Sequence, residues 1–138
     1  MKEMNQIDSL YEVEQELYKT RMLTTISLRD IRNADTKVHI IAMYNIEKHR
    51  DYIVENLINY AKVLGRKLFL DGKPIGSVLD IGRILKEKRE QAGLSMFAAY
   101  TQSHVLPKAI SKIELGKRYR KSTLVNYIAF YNLNFTLD

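Results

Sequence analysis

The chain has 138 residues, enough for one ordinary core or for a small domain with an appended subdomain. Hydrophobic residues make up 46% and charged residues 28%, which excludes wholesale disorder, and the lack of cysteine excludes disulfides and thiolate metal sites. The net charge of +6 is unevenly spread: residues 1–77 carry 12 Lys+Arg against 11 Asp+Glu, whereas 78–138 carry 10 against 5.

That local basicity is either a solvated face or the electrostatic footprint of a phosphate-binding surface. No run approaches the roughly 18 apolar residues that span a membrane. Met1–Ile7 has no apolar core of the signal-peptide kind. The expectation is a cytoplasmic chain without a membrane partner, in which the sequon Asn134-Phe-Thr136 has no meaning.

Near the N-terminus Ile7, Leu10, Tyr11, Leu17 and Tyr18 recur at helical spacing, with Glu12, Glu14 and Glu16 between them. Ser27-x-x-Asp30 has the form of a capping box. Residues 35–48 read as helix or strand; the helical reading, with Asp35 as cap, is preferred. From Asp51 the stripe Ile53, Leu57, Tyr60, Ala61 and Leu64 predicts a helix that Gly65 stops. Residues 67–75 break the pattern, and Asp71-Gly72 predicts a tight hairpin turn.

Ser77-x-x-Asp80 predicts a second capping box, opening a helix to Ala92 with Ile81, Ile84 and Leu85 inward. The boundary between the two parts falls near residue 76, with no linker, so 1–76 and 77–138 should pack together. After Gly93, Ser95 is the expected cap of a short helix, and Pro107 suits the first turn of the next. There Leu106, Ile110 and Ile113 share one face, and Pro107, Lys108, Ser111 and Lys112 the other. Leu124, Tyr127, Ile128 and Tyr131 mark a last helix.

This ordered set resembles the Cro/C1-type (XRE family) helix-turn-helix of phage and bacterial regulators, over residues 79–135. Lys86-Glu-Lys-Arg-Glu-Gln-Ala-Gly-Leu-Ser95 looks like the family's first helix and the approach to its second. Ile110-Ser-Lys-Ile-Glu-Leu-Gly-Lys117 looks like the end of its recognition helix and the exit turn. The resemblance implies a mainly α fold: a C-terminal lambda-repressor-like bundle, joined to an N-terminal helical subdomain by the hairpin. It implies sequence-specific binding of double-stranded DNA by a homodimeric repressor, with residues 106–115 in the major groove.

By the same resemblance Pro107, Lys108, Ser111 and Lys112 face base edges or flanking phosphates, and Ser95 and Met96 approach the backbone. Lys117, Arg118, Arg120 and Lys121 would meet phosphates. Arg89 and Glu114 would form a structural ion pair. Three positions depart from the family: Met96 replaces a glutamine, Tyr100 a small alanine, and His104 the turn glycine. A register shift bringing Ala98 or Ala99 into the packing position would accommodate Tyr100. His104 tolerates the left-handed region better than most residues.

The alternative is an antitoxin-like or adaptor module, in which the N-terminal part captures a protein and the helix-turn-helix is degenerate. Catalysis is not expected: His49-Arg50-Asp51 resembles a kinase catalytic tripeptide, but the downstream Asn and the Gly-rich loop are missing. His39, His49 and His104 lack metal-ligand spacing, so neither a metal nor a cofactor is expected. Most tyrosines lie on helical stripes and read as core. Tyr119 either covers the start of the last helix, the preferred reading, or lies on a sugar-phosphate backbone.

Overall fold

The computed structural model describes residues 2–34 and 38–138, with side chains described for 9–33 and 38–138. Asp35 as a helix cap therefore lies outside the described residues, as does the side chain of Ile7 as a packing group. Four helices come first: α1 (Lys2–Thr24), α2 (Leu28–Ala34), α3 (Ile40–Glu47) and α4 (Val54–Val63). The strands β1 (Leu68–Leu70) and β2 (Lys73–Ile75) follow. The chain then runs through α5 (Val78–Gln91), α6 (Met96–Ser103), α7 (Pro107–Glu114), α8 (Lys121–Phe130) and β3 (Phe135–Leu137). The fold is mainly helical with one small antiparallel sheet.

Local chemistry sets most boundaries. Asp30 N donates to Ser27 Oγ at 3.1 Å at the start of α2. At α5, the Asp80 carboxylate accepts from Gly76 N at 2.7 Å and Ser77 N at 3.2 Å, satisfying amides that the helix leaves without partners. The hairpin turns at Asp71 and Gly72, both at positive φ (53° and 75°), the pair of left-handed residues that matches strand twist. Two boundaries differ from expectation. The third helix begins at Ile40 with His39 at its N-cap, and the fourth at Val54 rather than near Asp51.

Asp51 caps a different helix. Its carboxylate accepts from Ser122 N at 3.0 Å and Ser122 Oγ at 2.8 Å, at the first turn of α8. Burial raises the Asp51 pKa, but these bonds and one from Tyr52 N, with Arg120 nearby, bring it below the ordinary carboxylate value.

The sheet is larger than the expected hairpin. β3 joins it in the order β2-β1-β3, pairing Leu68 with Leu137 and Leu70 with Phe135. Leu68, Leu70, Ile75 and Phe135 turn inward, and α1 packs against β3, α8 and α3. One continuous apolar core runs from Leu10, Val13 and Leu17 of α1 through Leu57 and Tyr60 to Ile110, Leu124 and Phe135. The expected boundary near residue 76 lies between β2 and α5, and the core crosses it. α5 and α7 approach at Gly82, where a Cβ would lie 2.5 Å from Ile113 O and 2.6 Å from Glu114 O. Among the described residues, no helix is long and apolar enough to cross a membrane.

Candidate nucleic-acid interface

α7 carries two chemically different faces. Ile110, Ile113 and Glu114 are buried, whereas Pro107, Lys108 and Lys112 are exposed and Ser111 is half-buried between them. The i, i+3, i+4 spacing of Lys108, Ser111 and Lys112 puts them on one side of the helix. Leu106 departs from the expected apolar face: it occupies the N-cap of α7 and is 63% exposed.

The buried end of α7 is pinned by charge. Arg89 of α5 makes a two-pronged contact with Glu114, Nε to Oε2 at 2.8 Å and Nη2 to Oε1 at 2.9 Å. Tyr127 of α8 donates to the same carboxylate at 2.8 Å, and Arg89 Nη1 donates to Leu94 O at 2.9 Å. One guanidinium thus ties α5, the approach to α6 and the end of α7 together. The Glu114 hydrogen bond is the largest cause of the raised Arg89 pKa. Burial, followed by hydrogen bonding with Tyr131 and Glu114, pushes the Tyr127 hydroxyl well above its usual range.

Ser95 caps α6, accepting from Ala98 N at 3.1 Å. Ala99 is the residue of α6 that enters the core, while Tyr100 and Met96 are half-buried against it. The small side chain that the family places at Tyr100 is therefore found one position earlier, and Met96 turns towards the core. His104 takes the left-handed conformation of a turn glycine (φ 64°, ψ 15°), its N–H donating to Tyr100 O at 2.8 Å.

The four cations after α7 divide. Lys117, Arg118 and Arg120 are exposed. Arg118 stands 3.8 Å from Glu55 with both side chains more than half exposed, a pair that solvent screens to little effect. Lys121 is a correction: its ammonium bonds Glu14 Oε2 at 2.9 Å and lies 4.9 Å over the Tyr52 ring. It holds α8 to α1 and is not an open phosphate contact. Tyr119 is buried as preferred, its hydroxyl without a hydrogen-bond partner among the described residues.

Glu14 itself went unrecognised in the sequence, where it reads as one of three acids on a helix surface. It is buried, and accepts from Lys121, from Tyr52 Oη at 2.5 Å and, at 2.8 Å, contacts His49 Nδ1. Tyr11, expected in the core, is half-exposed and stacks on His49 at 3.8 Å between centroids. A similar cluster joins Arg21 to Glu47, Nη2 to Oε1 at 2.7 Å, with the Tyr60 hydroxyl on the same carboxylate. Glu14, Glu47 and Glu114 are each held by a cation and a tyrosine, which compensates the cost of taking a carboxylate out of water.

Lys108, Lys112, Lys117 and Arg120 form no ion pair among the described residues. Their charge is open to a polyanion. No protein-family model, no curated protein and no solved structure matches this chain.

Proposed function

We propose that the chain is a sequence-specific double-stranded DNA-binding regulator, a cytoplasmic homodimeric repressor that binds and does not catalyse. The observation that carries this reading is α7: exposed Lys108 and Lys112 with half-buried Ser111 between them, on a helix whose other face is fixed by Ile110, Ile113 and the Arg89–Glu114 pair. A rigid helix with free cations suits the major groove, where lysine can donate to guanine O6 and N7. Ser95 at the α6 terminus and Lys117, Arg118 and Arg120 beyond α7 would meet backbone phosphates, fixing register without reading sequence. Pro107 starts α7 and would stand near the groove edge; Met96, turned inward, would contribute little.

Salt dependence tests the phosphate contacts. Each released counterion adds about −0.9 to the slope of log K against log salt. Replacing Lys117, Arg118 and Arg120 with alanine should flatten the slope by about 2 to 3. Lys121→Ala should leave it unchanged while lowering stability. An unchanged slope in the triple variant refutes the assignment.

The second reading is an antitoxin-like or adaptor module with a degenerate helix-turn-helix. Exposed Phe97 on α6 and Leu106 at the start of α7 (70% and 63% exposed) favour a protein contact in the C-terminal part rather than the N-terminal capture expected from sequence. Duplex binding absent at low salt, with a stoichiometric protein complex, would select it.

A further inference from the structure

A cleft of about 550 Å³ lies between the start of α3, the α3–α4 region and the start of α8. Its volume falls in the range of about 300–1,000 Å³ common to small-molecule sites. Ile40, Ile41, Ile53 and the Tyr52 ring form apolar walls, and Ile41 is 73% exposed. Water therefore lies against hydrocarbon that an apolar ligand would cover.

Among the described residues the charged lining is basic: Arg32 and Arg120 contribute, and no acidic side chain does. Neither guanidinium makes a hydrogen bond or ion pair among the described residues. Asp51, the carboxylate near Arg120, has its oxygens engaged by Tyr52 N and by Ser122. Asn56 adds an independent sign of a ligand. It lies on α4 with only 8% of its surface exposed, yet its side-chain amide has no protein partner and borders the cleft. The amide is open to the cleft rather than sealed from water, so a polar group of a ligand there would take the place of solvent.

We infer that this cleft binds a small amphiphilic carboxylate, its headgroup held by Arg32 and Arg120, a polar atom met by Asn56, and its apolar body laid against Ile41 and Ile53. Guanidinium suits a planar carboxylate because its donors match both oxygens. Arg120 is shared with the proposed phosphate contacts, but the test contains no nucleic acid, so its outcome does not depend on DNA binding.

The probe is 2-naphthoate, titrated calorimetrically into the full chain beside its neutral counterpart 2-naphthalenemethanol and inorganic phosphate. The expected result is saturable binding of one naphthoate per chain. The alcohol and phosphate should each bind at least about tenfold more weakly, the loss expected when a charge-assisted contact or an apolar wall goes unused. Arg32→Gln and Arg120→Gln are surface changes that keep the fold, checked by melting temperature. Each should weaken naphthoate about tenfold, with Arg→Lys recovering part of it. No saturable naphthoate binding, equal binding of the alcohol, equal binding of phosphate, or unchanged affinity in both Gln variants would overturn the inference.

Discussion

Arg89→Met separates a structural lock from a decorative surface pair. In the parent, the Glu114 carboxylate receives two guanidinium hydrogen bonds and one from Tyr127. Its side chain is almost fully buried and that of Arg89 nearly so. The methionine retains much of the packing but leaves the carboxylate with a single neutral donor. Breaking a buried pair by removing one partner costs about 3–5 kcal/mol; with Tyr127 still in place, the lower end applies, about 3 kcal/mol. For a chain of this size that corresponds to a fall of about 10 °C in melting temperature. The double variant Arg89→Met/Glu114→Met removes the buried charge altogether and leaves mainly the Tyr127 hydroxyl without an acceptor, at about 1–2 kcal/mol. Urea titrations of the three proteins measure the order: parent, then double, then single. A single variant within 1 kcal/mol of the parent, or a double variant less stable than the single, would refute the lock.

Gly82→Ala should run against helix propensity. Alanine gains about 1 kcal/mol over glycine in an open helix, but here its Cβ meets backbone carbonyls of α7, so a net loss of about 1–3 kcal/mol is expected in a thermal melt. A gain would show that α5 and α7 pack less closely. Tyr119→Phe should raise the melting temperature, because the buried hydroxyl it removes has no partner and costs about 1–3 kcal/mol where it stands. Asp51 predicts an acid limb. Its folded pKa lies below the ordinary value of about 4, so its contribution is complete above that value and is lost as pH falls through the lower folded pKa. Urea midpoints measured from pH 6 down to 2.5 should therefore fall more in the parent than in Asp51→Asn.

Features encoded within a few residues were legible in the sequence. The Ser27 and Ser77 caps, the Asp71-Gly72 turn, the Ser95 cap and the inward Ile110 and Ile113 each follow from local hydrogen bonding or period. The Arg89–Glu114 pair, 25 residues apart, is implied by the family resemblance alone, and its geometry agrees. Long-range pairings were not legible. β3 is three residues long, too short for an alternating signature, and its register is set by β1. Glu14 is recruited by Tyr52, His49 and Lys121, whose separations of 38, 35 and 107 residues leave no local trace. For the same reason Lys121 read as one more cation of a basic run. The Arg32–Arg120 cleft has the same origin, drawing its lining from α2, α3, α4 and the start of α8.

The central claim is that α7 reads a DNA sequence. Selecting bound fragments from a pool of random duplexes with the full chain tests it most directly, in parallel with Lys108→Ala/Ser111→Ala/Lys112→Ala. The account predicts an enriched motif with two-fold symmetry and half-sites about one helical turn apart, lost or relaxed in the triple variant. A pool that stays random at low salt, or the same motif enriched by both proteins, would contradict it.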